Sequence, residues 1–332
     1  MALKIGPPAE VAPGIDAVEQ AESAAPDATY PTPSREASTK EEVTWSEFLK
    51  KASRQAITER LCAEISEILK VHGLDNECCL AILEPHDSID SFDLDQIFSA
   101  LKEINPNHSK RVVLFVISAG GAIEPAYQIS KLCKSFALGQ FKVVVTRHAK
   151  SAATMVAIGA DEIHMGPLGQ LGPIDPQIGG MPALGVSQAL KTIASMAHRY
   201  PGSAEMFAKY LRMSLTVEQI GYCDRISESA VQYAQRLLST KPNLVSAAPR
   251  IAKELVYEYK DHGFVIDLDE AKKHLGEDWI KTDTPELRAA EHIYTLLELV
   301  NFLLKDAQSQ RVLISGCPTQ TSSVLILDVE PD

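Results

Sequence analysis

The chain has 332 residues, of which 45% are hydrophobic and 23% charged, a length that suits one large core or two ordinary ones. This composition is typical of a globular protein and excludes collagen-like, coiled-coil and wholly disordered classes. With 32 basic and 44 acidic residues, the formal net charge of -12 repels phosphate backbones and anionic membrane surfaces, which disfavours nucleic acid as a partner.

The cysteines and the start of the chain predict the compartment. Six cysteines are spread along the chain without a CxxC pair, which indicates reduced thiols rather than a disulfide framework. Residues 1–20 lack the pattern of a secretory signal, and no apolar run approaches the ~18 residues of a membrane span. We therefore expect a cytoplasmic protein with no transmembrane segment.

The chain divides into three predicted segments. Residues 1–43 are rich in proline and alanine and predict a disordered tail. Order is expected from Thr44, which together with Glu47 forms a capping-box pattern at the start of a helix. Residues 44–305 predict the folded domain, and residues 306–332 predict a carboxyl-terminal extension with a pair of short strands.

Short apolar runs then alternate with amphipathic segments. We predict strands over 79–83, 112–117 and 141–146, and helices over 92–104 and 123–136. Continuous apolar strands separated by helices are typical of an α/β protein with a parallel sheet. In such sheets the functional site lies at the carboxyl ends of the strands, in the loops that lead into helices.

Two of those loops carry unusual residues. Ser118-Ala119-Gly120-Gly121 follows the second strand, and glycines allow backbone amides to approach an anion closely because they lack a β-carbon. Ser151 follows the third strand at the start of an apolar helix, where free amides stabilise negative charge. Taken singly, the two motifs are better explained by a tight turn and by an ordinary N-cap.

Taken together, the two loops predict a serine nucleophile. Neighbouring parallel strands would bring the amides of Gly120 and Gly121 beside the Ser151 hydroxyl, and the amide of Ala152 would complete an oxyanion hole. Removal of one such donor costs about 2.7 to 4 kcal/mol in acyl transfer. The arrangement is that of a serine hydrolase.

Four motifs in combination resemble the serine dehydrogenase proteinase family: SAGG at 118–121, KSAA at 150–153, ADEI at 160–163 and LGPIDPQ at 171–177. That family is similar to signal peptide peptidase A and to the Clp proteolytic subunit, within the ClpP/crotonase superfamily. HGFVID at 262–267 resembles the end of the superfamily core, so the resemblance covers about residues 75–285.

The resemblance implies a ClpP/crotonase-like fold, which is a spiral of ββα units with a mainly parallel sheet and a helical outer layer. It also implies a homo-oligomer and a peptidase that acts on peptides, on unfolded protein or on membrane-derived segments. Ser151 would be the nucleophile.

The general base has three candidates. Asp175 stands where the resemblance to the Clp subunit leads one to expect the base histidine, and a carboxylate is a poor base at neutral pH. Resemblance to signal peptide peptidase A implies a lysine base, either Lys191, which has apolar neighbours in the sequence, or Lys209. His262 is the third candidate, in an arrangement with Ser151 and Asp175. We predict the dyad of Ser151 and Lys191.

The remaining patterns are negative. No histidine and cysteine spacing matches a zinc site and no glycine motif for nucleotides is present, so we expect neither a metal nor a cofactor. Two other functions stay open: a scaffold that has lost a competent base, and a crotonase-like acyl-CoA enzyme, which the few clustered basic residues disfavour.

Overall fold

A computed structural model describes residues 43–84, 87–178 and 181–329, so the tail predicted over residues 1–43 lies outside them except for its last residue. The helices are α1 (Trp45–Leu49), α2 (Arg54–Val71), α3 (Ser91–Ile104), α4 (Ile123–Phe136), α5 (Ala152–Ala157), α6 (Ala183–Arg199), α7 (Ala204–Ser214), α8 (Val217–Leu238), α9 (Ala248–Lys253), α10 (Leu268–Leu275) and α11 (Pro285–Gln308). The strands are β1 (Cys78–Glu84), β2 (Val112–Ser118), β3 (Phe141–Ala149), β4 (Glu162–Met165), β5 (Gln170–Leu171), β6 (Gln177–Ile178), β7 (Met181–Pro182), β8 (Ile280–Lys281), β9 (Gln310–Gly316) and β10 (Val324–Asp328).

Within the described ranges the main sheet runs in the order β10-β9-β1-β2-β3-β4-β8, and β5 pairs with the end of β3. The pairs β1–β2, β2–β3, β3–β4 and β4–β8 are all parallel. Of the described strands in this sheet, only β9 forms antiparallel pairs, with β1 and with β10, while β6 and β7 form a separate antiparallel pair. The predicted α/β class with a mainly parallel sheet is therefore confirmed, as are the predicted strands and helices up to β3.

Helices cover both faces of the sheet, and β2 explains why. Val112, Leu114 and Val116 face one apolar core with α3, α4 and α5, whereas Val113, Phe115 and Ile117 face a second core with α1, α2 and α11. A strand buried on both faces is apolar at every position, which is why the period of two is absent from the sequence.

Side-chain caps fix where several helices begin. The Thr44 hydroxyl accepts a hydrogen bond from the Glu47 N–H, which confirms Thr44 as the N-cap of α1, without the reciprocal bond of the predicted capping box. Asp90 and Asp93 form a reciprocal capping box at the start of α3. Because α3 begins at a fixed residue, the segment before it is held close to the carboxyl end of β2.

The segment predicted as an extension over 306–332 supplies β9 and β10. Ile82 of β1 pairs with Ser315 of β9, and β9 pairs with β10, so both strands belong to the main sheet. Residues from Val43 onward group into one compact unit. None of the helices in the described part of the chain has the length and apolar character to cross a membrane.

Candidate active site

The parallel pairing of β2 and β3 brings the two predicted loops together. Ser118 at the end of β2 is in register with Ala149 at the end of β3, and the Lys150 N–H donates to the Ser118 carbonyl at 3.1 Å. A β-carbon on Gly120 would lie 2.6 Å from the Ser151 Cβ and 2.9 Å from the Lys150 carbonyl oxygen. The glycine turn therefore touches the serine turn at a point where only glycine fits.

Ser151 occupies a strained turn. Its φ of 52° and ψ of -117° fall outside the regions that a serine favours, and its side chain makes no capping hydrogen bond to α5. The residue is only 7% exposed, yet it lines a cavity. Strain of this kind persists where the surrounding structure enforces it, as at catalytic turns, so the interpretation of Ser151 as an ordinary N-cap fails.

Ile89 holds the glycine turn in place through two backbone hydrogen bonds. Its N–H donates to the Gly120 carbonyl at 2.8 Å, and its carbonyl accepts from the Ala122 N–H at 2.8 Å. Gly121 has a φ of 148°, and a β-carbon there would lie 2.3 Å from the Ile89 carbonyl oxygen. The two hydrogen bonds of Ile89 fix the direction of the amides in the turn.

The amides of the two turns differ in what they bind. The Gly120 N–H donates to the Ser118 hydroxyl at 3.2 Å, so Gly120 serves the turn rather than acting as the open donor that we predicted. Among the described residues, neither the Gly121 N–H nor the Ala152 N–H donates within the turns or to Ile89. These two amides are the donors that remain for an oxyanion.

Thr154 joins the serine turn to the segment that follows β5. Its hydroxyl lies 2.6 Å from the Ala149 carbonyl oxygen and accepts from the Gly172 N–H at 3.0 Å. One residue earlier, Leu171 exchanges two backbone hydrogen bonds with Ile266, at 2.9 and 3.0 Å. This exchange brings the segment 262–266 alongside the segment 171–175.

His262 and Asp175 meet as a result. The distance between His262 Nδ1 and Asp175 Oδ2 is 3.8 Å, longer than a hydrogen bond, and both His262 Nδ1 and Asp175 Oδ1 are buried without a hydrogen-bond partner. Lys150 donates from Nζ to the Gly263 carbonyl at 2.9 Å and so anchors the loop that carries His262. Catalytic hydrogen bonds are often as long as the 3.8 Å between His262 and Asp175 in the absence of substrate.

A cavity of about 520 Å³ lies beside Ser151 and His262. Ser151, Gly121 and His262 line one side of it, and Tyr222 and Tyr233 from α8 line another. The volume is within the range of small-ligand and peptide-side-chain pockets. No sequence pattern indicates that α8 lines the site, because a helix of that kind is expected anywhere in a helical layer.

The structure does not bring the candidate lysines to Ser151. Lys191 is exposed on α6 and lines a separate cavity that includes Arg199, so the apolar environment expected for it is wrong. Lys191 lies on the side of α6 that faces solvent, although its sequence neighbours Leu190 and Ile193 are apolar. Lys209 is exposed on α7 and pairs with Glu205 at 2.9 Å.

Two further titratable residues of the sheet have structural partners. Asp161 accepts from Lys134 Nζ at 2.6 Å and so forms a salt bridge. His164 is buried and hydrogen-bonds Thr284 at 2.7 Å; burial is the main cause that lowers its pKa. Within the described residues, no group of three or more potential ligands is arranged for a metal ion.

Residues 67–199 match the family model of the ClpP-like SDH-type serine proteinases. This segment contains both the glycine turn and Ser151, and the match confirms the resemblance inferred from the motifs. Among curated proteins, the uncharacterized protein MJ0137 of Methanocaldococcus jannaschii is 28% identical over 207 residues. That alignment covers 62% of this chain and 64% of the relative, so the chain spans less than two thirds of the relative's length.

Two solved structures are similar at lower identity. A substrate-peptide complex of a mutant 1510-N membrane-bound stomatin-specific protease is 16% identical, with 64% of this chain and 78% of that chain covered and a TM-score of 0.40. ClpP1 from Listeria monocytogenes is 17% identical, with 66% and 99% covered and a TM-score of 0.39.

Proposed function

We propose that this chain, which matches the ClpP-like serine proteinases over residues 67–199, is a serine peptidase with Ser151 as nucleophile, His262 as general base and Asp175 as the group that orients the histidine. Its substrates are peptides or unfolded protein segments. The proposal keeps the predicted nucleophile and replaces the predicted base.

The chemical steps follow from the groups that share the cavity. Ser151 Oγ attacks the peptide carbonyl carbon while its proton passes to the His262 imidazole, and the carbonyl oxygen becomes an oxyanion held by the Gly121 and Ala152 amides. The imidazolium then gives that proton to the leaving amine as the C–N bond breaks, which leaves an ester on Ser151. Water, deprotonated by His262, hydrolyses the ester and restores the serine.

Geometry favours His262 over Lys191 as the base. His262 lines the same cavity as Ser151, and its imidazole is half-buried beside Asp175. A lysine acts as a base only when desolvation holds it neutral, and Lys191 is exposed. The order of the three residues along the chain is immaterial, since triads are recognised by geometry and roles.

The observation that carries the proposal is the backbone at Ser151. Its left-handed φ holds a hydroxyl that caps nothing at the wall of a cavity, in contact with the glycine turn. A structural serine at a helix start would adopt extended backbone and bind the first amides of the helix.

A fluorophosphonate probe tests this proposal. We expect stoichiometric labelling of the wild type, with the adduct on Ser151 by peptide mass spectrometry, and no labelling of Ser151→Ala. Ser229→Ala is the matched control, because it removes another hydroxyl from the same cavity and is expected to label normally. A correctly folded wild type that resists the probe would contradict the peptidase and favour the scaffold.

We also propose that copies of the chain associate through α6 and α7. Large apolar side chains on these helices and their connection are exposed: Met196, Tyr200, Met206, Tyr210 and Met213. Exposed apolar side chains in such number are typical of an interaction surface. Light scattering of the wild type and of a Met206→Glu, Tyr210→Glu variant measures whether the mass falls to that of a monomer.

The compartment that we propose is the cytoplasm. All six cysteines are buried free thiols. Burial raises the pKa of Cys62 to about 11 and that of Cys78 to about 12, so these thiols resist oxidation. Such thiols suit a reducing environment.

A further inference from the structure

Among the described residues that line the Ser151 cavity, Glu124 is the one with a carboxylate. It lies in the first turn of α4, three residues after Gly121. Among the residues that the structure describes, no lysine or arginine lines the cavity and Glu124 forms no ion pair. The carboxylate is exposed and available to a substrate.

Contacts of α4 show which way this carboxylate faces. Tyr127, three residues after Glu124 and therefore on the same side of the helix, packs against Tyr233 of α8 with ring centroids 4.6 Å apart. Tyr233 itself lines the cavity. The Glu124 side of α4 thus faces the α8 wall.

That wall is apolar and aromatic. Tyr222, Ile226 and Tyr233 of α8 line the cavity, and Ile123 of α4 lines it next to Glu124. Isoleucine and tyrosine suit the methylene stem of a lysine or arginine side chain, and a tyrosine face attracts its cation. A carboxylate at the same wall attracts that cation and repels an acidic side chain.

We propose that Glu124 makes the cavity select peptides that carry a lysine or arginine side chain within three residues of the cleaved bond. This inference rests on the proposed function and names its substrate class. The long aliphatic stem lies against the α8 wall, and the cationic group pairs with the Glu124 carboxylate. Glu124 acts in binding and takes no part in proton transfer.

Matched peptides test the proposal. Lysine and norleucine have the same four-carbon stem, so fluorogenic peptides that differ only by this exchange, at each of three positions on either side of the cleaved bond, isolate the charge. At one position we expect the lysine peptide to have the higher kcat/KM by about tenfold at low salt, falling as ionic strength rises. In Glu124→Gln the ratio should drop close to one, and in Glu124→Lys a glutamate peptide should overtake the lysine peptide.

Glu298→Gln is the control variant, because it removes the same charge from α11 on the opposite face of the sheet. It should retain the wild-type ratio. A lysine-to-norleucine ratio near one at all six positions in the wild type, or an unchanged ratio in Glu124→Gln, overturns the proposal.

Binding separates this inference from the peptidase proposal. Fluorescence anisotropy with the same peptides and the Ser151→Ala protein needs no turnover. Tighter binding of the lysine peptide, lost in the Ser151→Ala, Glu124→Gln double variant, supports the selectivity even where the wild type cleaves nothing. Equal binding of the two peptides to Ser151→Ala contradicts it, whatever the wild type cleaves.

Discussion

The two edges of the parallel sheet treat buried polar atoms in opposite ways. At the amino-terminal edge, where β3 and β4 begin, Asp161 accepts from Lys134 Nζ at 2.6 Å, from the Phe141 N–H at 2.8 Å and from Lys241 Nζ at 3.3 Å. Burial opposes ionisation there, yet hydrogen bonds from Lys134 and Phe141 hold the pKa of Asp161 below its ordinary value. Both carboxylate oxygens of Asp161 are therefore hydrogen-bonded.

At the carboxyl-terminal edge, polar atoms are left unused. Four buried side-chain polar atoms in the described part of the chain lack a hydrogen-bond partner, and three of them lie on segments at this edge: Glu84 Oε1, Asp175 Oδ1 and His262 Nδ1. Ser151 adds backbone strain. Unsatisfied and strained groups destabilise a fold and persist where they serve a reaction or a ligand. The contrast separates the structural edge from the functional one.

The largest effect that we expect concerns Glu84, which pairs in register with Ser118. Burial, with nearby Asp93 and Asp87, raises the pKa of Glu84 from 4.5 to about 8. Because the folded state keeps this proton to higher pH, the stability that it contributes is full below pH 4.5 and is lost as the pH rises to about 8. The loss is on the order of 4 kcal/mol.

Urea unfolding of the wild type and Glu84→Gln between pH 5 and 9 measures this loss. The free energy of unfolding of the wild type should fall relative to that of Glu84→Gln as the pH rises. Glu103→Gln, an exposed carboxylate on α3, should run parallel to the wild type. If the curve for Glu84→Gln also ran parallel to that of the wild type, the Glu84 carboxyl would not be the cause of a pH-dependent loss of stability.

The next effect concerns the glycine turn. An alanine at Gly121 would place its β-carbon 2.3 Å from the Ile89 carbonyl oxygen, so the turn must shift and carry its amide away from the oxyanion. We expect probe labelling of Ser151 to slow by about 100- to 1000-fold. Gly139→Ala is matched to it: the φ of 78° is also positive, but nothing lies within 4 Å of the added carbon.

Gly139→Ala should lower the free energy of unfolding by about 1 kcal/mol and leave the labelling rate alone. Equal labelling rates in Gly121→Ala and Gly139→Ala would remove the glycine turn from the catalytic machinery.

The smallest effect belongs to the opposite edge. Asp161→Asn leaves Lys241, which is 8% exposed, without its carboxylate, and we expect a loss of about 2 kcal/mol in the free energy of unfolding, discounted because Asp161 is partly exposed. The labelling rate of the folded protein should stay within about threefold of the wild type, since ordinary structural substitutions act on stability. A labelling rate that fell in step with stability would mean that the two edges are coupled.

The parts of the site nearest in the chain to buried strands were predictable. Ser151 and Gly121 directly follow β3 and β2, and parallel pairing guarantees that the ends of neighbouring strands meet. The fold class followed from the same apolar runs. The hydrogen bond from the Gly120 N–H to the Ser118 hydroxyl was not predictable, because it depends on the side-chain rotamer of Ser118.

The base was not predictable as a single residue. His262 reaches the cavity through the exchange of hydrogen bonds between Leu171 and Ile266, a contact of two residues that leaves no periodic pattern. Lys191 was favoured because Leu190 and Ile193 flank it in sequence. An amphipathic helix places such neighbours on different sides, so local apolar composition does not measure burial.

The labelling rates of His262→Ala and Lys191→Ala decide which residue is the base. With the fluorophosphonate probe and wild-type protein as reference, we expect His262→Ala to label Ser151 at least about 1000-fold more slowly, whereas Lys191→Ala stays within about threefold. The opposite ranking, with Lys191→Ala inactive and His262→Ala labelled at the wild-type rate, would rule out His262 as the base.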